Sequence, residues 1–321
     1  MKYRPLGGTG LSVSEIGFGC WGIGGVTAGA TSYGVVDDKA SLRALERAFD
    51  LGINFYDTSN LYGDGHSEEL LGAAFAHRRD KVVIATKAGR STYETEAYDP
   101  ADVRRSVEGS LHRLRTDYVD VIEIHSPSSI DALAQTEAMS TLKALKREGK
   151  IRAVGISVKA PAEAIGAIEK LGAEVIQVNF NLVDQRASEG EVFTVAAARK
   201  VGVIARTPLC FGMLSGKVSP ETVFDARDHR SVWPKEQIVR WIEASGMFVK
   251  AVAAAGKQTD AQVALRFCLS FPAVSSTIPG MLNAAEVEEN AVASDLGPLC
   301  RDDLARIVDI YRNNDFFVRK R

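Results

Sequence analysis

From residue 38 onward one unit recurs: an amphipathic helix, a glycine where that helix must stop, then a short apolar strand. The joints read FDLGINFYD, KREGKIRAVGIS, EKLGAEVIQVNF and ARKVGVIARTP. Gly52, Gly149, Gly172 and Gly202 each suit the left-handed residue just past a helix end, which glycine adopts without steric cost. Helices and strands therefore alternate, and that order admits few architectures. One helix is plain from its period: Val103, Val107, Leu111 and Leu114 line one face of a segment that opens at Asp99-Pro100, a cap followed by proline in the first turn.

The strand segments KVVIATKA, YVDVIEIHS, IRAVGIS and EVIQVNF are short and continuously apolar, the pattern of parallel strands covered on both faces. SEIGFG, INFYD, GVIART and VSSTIPG bring the count to eight. Eight evenly spaced parallel strands with helical crossovers close into a barrel that leaves no sheet edge. The expected fold is a single α/β domain over residues 1–321, a (β/α)8 TIM barrel with extra C-terminal helices; an open doubly wound sheet is the alternative. Gly7-Gly8-Thr9-Gly10 lies between short apolar stretches and predicts an N-terminal β-hairpin plugging the bottom of the barrel. The long stretch from Leu209 to about Gly256 follows the seventh barrel strand, where long connections face the functional end.

A net charge of −2, from 39 basic and 41 acidic residues, gives no field for phosphate backbones or anionic lipid, so nucleic acid and membranes are not expected partners. No apolar run approaches the ~20 residues that span a bilayer, and MKYRPLGGTGLSVSE lacks a signal-like core; a cytoplasmic protein is expected. Cys20, Cys210, Cys268 and Cys300 are far apart without a C-x-x-C pair, which predicts reduced, mostly buried thiols and no zinc site.

Gly17-Phe18-Gly19-Cys20-Trp21-Gly22 matches the dinucleotide fingerprint G-x-G-x-x-G. The match fails on context: Gly24, Gly25, Gly29 and Gly34 follow without helical period, so no helix N-terminus is available for a pyrophosphate. A loop at the mouth of the first barrel strand is expected instead, with Trp21 as a wall.

Four polar residues fall at or just beyond the C-terminal ends of successive strands: Asp57 and Tyr62 after INFYD, Lys87 in KVVIATKA, and His125 in YVDVIEIHS. Together they form an acid/base device. Hydride reduction of a carbonyl makes an alkoxide that must be protonated, and a phenol with pKa near 10 serves if a cation stabilises the phenolate. Lys87 supplies that charge, Asp57 keeps Lys87 protonated, and His125 directs an N–H at the carbonyl oxygen.

The strings GINFYDTSNLYGDGHSEELLG, VVIATKAG, DVIEIHSP, AVGIS, IQVNF, TPLCFGMLSGK and IPGMLNAAEVEEN resemble, in order and spacing, the motifs of the aldo-keto reductase family over nearly the whole chain. The resemblance implies that Asp57, Tyr62, Lys87 and His125 are a catalytic tetrad. It implies that Ser157 and Gln177 hydrogen-bond a nicotinamide carboxamide, that Leu209 to Lys217, with Gly212, wraps a pyrophosphate, and that Glu289 and Asn290 approach the adenine. Trp21 would line the substrate pocket.

Three departures stand out. Val158 replaces the common asparagine, and Arg206 takes the place of an aromatic ring that stacks on the nicotinamide. The segment after Pro279 offers Gly280 and, further on, Glu286 where relatives place a basic residue for a 2′-phosphate. NADP(H) is the cofactor by resemblance, and NAD(H) is admitted because that basic clamp is missing. The expected function is oxidoreduction of small aldehydes, ketones or sugars; the alternative is a dinucleotide-binding regulatory subunit with slow turnover. A metal-dependent hydrolase is disfavoured, since His125 is the one histidine at a strand end among five in the chain.

Overall fold

The computed structural model describes residues 1–27, 32–253 and 255–318. Gly29, part of the glycine-rich loop, and the last three residues of the tail lie outside them. Two antiparallel strands, β1 (Tyr3–Pro5) and β2 (Ser12–Ser14), form the N-terminal hairpin. The barrel strands are β3 (Phe18–Gly19), β4 (Phe55–Asp57), β5 (Val83–Ala88), β6 (Val119–His125), β7 (Ile151–Ser157), β8 (Val175–Asn179), β9 (Gly202–Arg206) and β10 (Val274–Ile278). They pair in parallel in sequence order from β3 to β10.

The sheet then closes on itself. Parallel bridges join Ile16 to Thr277 and Gly19 to Gly280. The Gly17 and Gly19 amides donate to the Thr277 and Pro279 carbonyls, both at 2.9 Å. This seam explains the glycine-rich motif: a Cβ at Gly17 would lie 2.7 Å from the Phe55 ring, and one at Gly19 2.8 Å from the Ile278 carbonyl oxygen. A 3₁₀ turn over Gly22–Gly24 follows, and no α-helix starts before Asp38 among the described residues. Gly17 and Gly19 serve close strand approach at this seam, and among the described residues no α-helix directly follows them, as the missing helical period predicts.

The hairpin plugs the floor of the barrel. Leu6, Leu11 and Val13 pack on Phe55, Val83, Val121, Ala153, Val175 and Ile204, which point inward from alternate strand positions. Each Leu, Val, Ile or Phe side chain among them contributes about 1.5–3 kcal/mol by leaving water.

Three of the four helix-stop glycines are left-handed: Gly52 (φ 83°), Gly149 (φ 81°) and Gly172 (φ 66°). Gly202 is not. Lys200 takes the left-handed turn there (φ 54°), and Gly202 opens β9, where a Cβ would sit 2.7 Å from Leu6 Cδ1. Room for the hairpin, not a helix stop, requires that glycine. The helix Pro100–Leu114 buries Val103, Val107, Leu111 and Leu114, while the Asp99 side chain makes no capping bond. The connection after β9 carries short turns at Cys210–Gly212 and His229–Val232 and then a helix of its own, Lys235–Lys250. A further helix, Arg301–Asn313, lies beyond Ala284–Leu296 near the C-terminus. Cys20, Cys210 and Cys268 are buried and Cys300 is exposed, all four as free thiols. Among the described residues no helix is long and apolar enough to cross a membrane, and no cluster of potential metal ligands occurs.

Candidate active site

Strand alternation sends every second side chain into the barrel, and toward the C-terminal ends those side chains become polar. Asp57 follows Phe55, Lys87 follows Ala85, Glu123 and His125 follow Val121, Ser157 follows Gly155, Gln177 follows Val175, and Arg206 follows Ile204. Register places them in rows: Lys87 lies opposite Glu123, His125 opposite Ser157, and Ser157 opposite Gln177.

Lys87 is the hub. Its Nζ donates to Asp57 Oδ1 at 2.7 Å and to the Thr58 carbonyl at 2.8 Å, and stands 5.0 Å from the centroid of the Tyr62 ring. Burial opposes its charge, but Asp57, Tyr62 and Glu123 outweigh burial and hold the ammonium well above the usual lysine range. Burial raises the Tyr62 phenol, and Lys87 pulls it back only in part. The phenol is therefore protonated at neutral pH.

His125 is driven well below the usual histidine range, by burial first and then by Lys87, Arg206 and Arg90, so its ring is neutral. Its Nδ1 lies 3.1 Å from Ser59 Oγ, and its ring packs edge-on to Tyr62 with centroids 6.0 Å apart. Arg90 Nε donates to the His125 carbonyl at 2.8 Å, which fixes the end of β6.

Asp57, Tyr62, Lys87 and His125 line one cavity of about 390 Å³, together with Trp21, Ser157, Gln177, Arg206 and Gly280. A neighbouring cavity of about 440 Å³ is lined by Leu209, Gly212, Lys217, Gly280, Glu286, Glu289 and Asn290. Tyr33, Thr207, Phe211 and Gly280 border both, so the two are continuous.

Matching of the chain to protein families finds the Aldo/keto reductase family over residues 15–312. The chain belongs to this family. Among curated aldo/keto reductase relatives it is 31% identical over 298 residues to aldo-keto reductase YhdN of Bacillus subtilis, covering 90% of this chain and 87% of that protein. It is 29% identical to a probable voltage-gated potassium channel subunit beta of Arabidopsis thaliana, covering 93% of each. Among solved structures, glycerol dehydrogenase AKR11B4 from Gluconobacter oxydans superimposes with a TM-score of 0.80 at 29% identity, covering 99% of this chain and 97% of that one. Aldo-keto reductases use NAD(P)(H).

The aldo/keto reductase crevice also holds residues that sequence reasoning missed. Glu123 is fully buried two positions before His125, and its signal was available: on a strand, i and i−2 share a face. Ser59, two residues past the end of β4, touches His125 at the end of β6, a contact no local pattern announces. Arg230 lines the outer cavity, paired to Asp228 at 2.7 Å and stacked on Tyr33 and Phe224 at 4.7 and 4.4 Å. A basic side chain is thus absent after Pro279 but present elsewhere in the cavity lining. Lys217 is held by Glu289 at 2.5 Å. Glu286 accepts from the Leu282 amide at 2.8 Å and from Asn283 Nδ2 at 3.1 Å, beside the start of the helix that Asn283 caps. Two of the departures meet: Arg206 donates to the Val158 carbonyl at 3.0 Å.

Proposed function

We propose that this protein is an NAD(P)(H)-dependent oxidoreductase that interconverts small aldehydes, ketones or sugars with their alcohols, with Tyr62 as general acid and base. The observation that carries this is Lys87 Nζ at 2.7 Å from Asp57 and 5.0 Å from the Tyr62 ring, in a crevice that His125 also lines.

The polar groups present suit a nicotinamide dinucleotide. Both amide hydrogens of Gln177 are engaged, by Asp57 at 2.7 Å and Glu123 at 2.9 Å, and the Ser157 hydroxyl donates to Gln177 Oε1 at 3.3 Å, which leaves lone pairs on both oxygens to accept from a carboxamide NH₂. The outer cavity offers Lys217, Arg230 and backbone amides near the start of the Ala284–Leu296 helix. Glu289 and Asn290, which line the outer cavity, would meet the adenine. The cofactor, when bound, supplies or removes the hydride.

The rest falls to the protein. Tyr62 gives its phenolic proton to the oxygen on which negative charge develops, and takes it back when an alcohol is oxidised. Lys87 stabilises the phenolate so formed, and Asp57 keeps Lys87 cationic. When the Ser59 hydroxyl donates to Nδ1 of His125, Nε2 carries the proton and donates to the substrate oxygen. Aromatic walls at Trp21, Tyr33, Tyr93 and His229 bound the space for substrate, which favours small carbonyl compounds.

The potassium channel subunit relative favours a second reading, a dinucleotide-binding regulator with slow turnover. Purified protein incubated with reduced cofactor and a panel of aldehydes, ketones and sugars decides between them. Turnover on some member of the panel is expected; tight dinucleotide binding with none across it would replace the enzyme with the regulator.

A further inference from the structure

We propose that Glu123 is a fifth ionisable member of the cluster, a positioning residue that acts through Gln177 and Lys87 to set the charge the crevice presents to a nicotinamide ring. This rests on the placement of the dinucleotide proposed above.

The geometry is that of a built site. Glu123 sits opposite Lys87 in register, with Oε2 3.9 Å from Nζ. The same Oε2 accepts from Gln177 Nε2 at 2.9 Å, and Gln177 donates at 2.7 Å to Asp57 Oδ2. The second oxygen, Oε1, is buried with no hydrogen-bond partner among the described residues. Gly155 lies alongside: a Cβ there would stand 2.8 Å from the Val175 carbonyl oxygen and 3.2 Å from Glu123 Cγ. One consequence is orientational. A glutamine amide can turn over, but two carboxyl groups accepting from one NH₂ group pin Gln177 with Oε1 toward Ser157.

The other consequence is electrostatic. The charged groups that face Glu123 are Asp57 from β4, Lys87 from β5 and Arg206 from β9; β8 contributes the neutral Gln177 and β7 the bare Gly155. Asp57 balances Lys87. Arg206, at a position where the family resemblance implies an uncharged ring, is offset within this group of four only when Glu123 is ionised. Burial pushes the Glu123 carboxyl up, against the pull of Lys87, to about 8. Below that pH the four groups sum to one positive charge, and above it to none. An oxidised nicotinamide ring is itself cationic, so raising the pH through the Glu123 ionisation favours the oxidised over the reduced cofactor.

Two measurements on the full chain test this. In cofactor-free protein, infrared difference spectra from about pH 6 to about pH 10 should show one protonated-carboxyl band disappearing near the alkaline end of the carboxyl range, and Glu123→Gln should lack it. Dissociation constants for oxidised and reduced cofactor, followed by fluorescence over the same range, should give an oxidised-to-reduced ratio that falls about tenfold with rising pH in wild type, the equivalent of one pKa unit. In Glu123→Gln the ratio should stay flat. If that variant does not fold, Arg206→Gln replaces it, and the carboxyl band should then titrate at higher pH because a facing cation is gone. Absence of a titrating carboxyl in wild type, a band that persists in Glu123→Gln, an unmoved titration in Arg206→Gln, or equal pH slopes of the ratio in wild type and Glu123→Gln would each overturn the proposal. Failure to bind either cofactor would instead remove the functional reading, and the infrared titration alone would then decide whether Glu123 ionises as described.

Discussion

The two halves of the crevice are built on different principles. The inner half hangs on strand ends: Asp57, Lys87, Glu123, His125, Ser157 and Gln177 come from β4 to β8 and are all buried, with hydrogen bonds tying one strand to the next. The outer half is built from loops and the first turns of the Ala284–Leu296 helix. It includes three non-glycine residues in the left-handed region, Thr207, Cys210 and Phe211, each costing about 1–3 kcal/mol that surrounding contacts must offset. Its charges, Lys217, Glu286 and Arg230, already have partners and are partly or fully exposed. Strand ends hold acid/base groups to a fraction of an ångström, whereas loops vary the binding surface without disturbing them. Substitutions in the inner half should therefore cost rate or stability, and those in the outer half should adjust preference.

Tyr62→Phe makes the sharpest cut. It removes one hydroxyl and keeps the ring, so turnover should fall about 10²- to 10⁴-fold while cofactor affinity survives. Burial holds the Tyr62 phenol above its usual value, so wild-type alcohol oxidation should keep rising with pH beyond neutrality, and that limb should vanish in the variant. Retention of most of the wild-type rate with normal cofactor binding would mean that Tyr62 is not the acid.

Lys87→Met strips Asp57 of its 2.7 Å partner inside the barrel. Breaking a buried pair from one side costs about 3–5 kcal/mol, and denaturant unfolding should register a loss of that order. An unchanged midpoint would show that water reaches the inner half, which would erase the contrast drawn between the two regions.

Glu286→Gln tests the outer half. A 2′-phosphate carries close to two negative charges, so wild type should prefer NADPH over NADH by less than about a hundredfold, or prefer NADH. Neutralising Glu286 should improve NADPH affinity about threefold to tenfold, by fluorescence titration, with turnover at saturating cofactor nearly unchanged. A large drop in turnover would show that the outer half does tune the chemistry.

Arg206→Tyr sits on the border, and its effect should be the smallest. A guanidinium against a cationic ring favours the reduced cofactor, so tyrosine should narrow the gap between oxidised and reduced dissociation constants by about twofold to fivefold. Unchanged ratios would mean that the side chain stays hooked on the Val158 carbonyl, 3.0 Å away, and never meets the ring.

Much of this protein was legible along the chain because it is local. Short, continuously apolar segments marked all eight barrel strands, and Asp57, Lys87 and His125 fall at the ends of those segments. The dinucleotide fingerprint at Gly17 could be set aside on the absence of a following helix. What local pattern could not supply was contact between distant segments. Gly202 looks like a helix stop in sequence, but its reason is Leu6, almost two hundred residues away, and Lys200 carries the left-handed turn instead.

The sequence by itself thus determined the architecture, the family and most of the polar residues that meet in the inner half, since periodicity and the order of motifs are properties of neighbours in the chain. Tertiary structure alone decided how charges are paired: Glu123 beside Lys87, Lys217 on Glu289, Arg230 on Asp228 and the neutrality of His125. The physical reason is that a side chain's ionisation and partners depend on burial and on groups a few ångströms away, and closure of the barrel brings those groups together from strands that the sequence keeps apart.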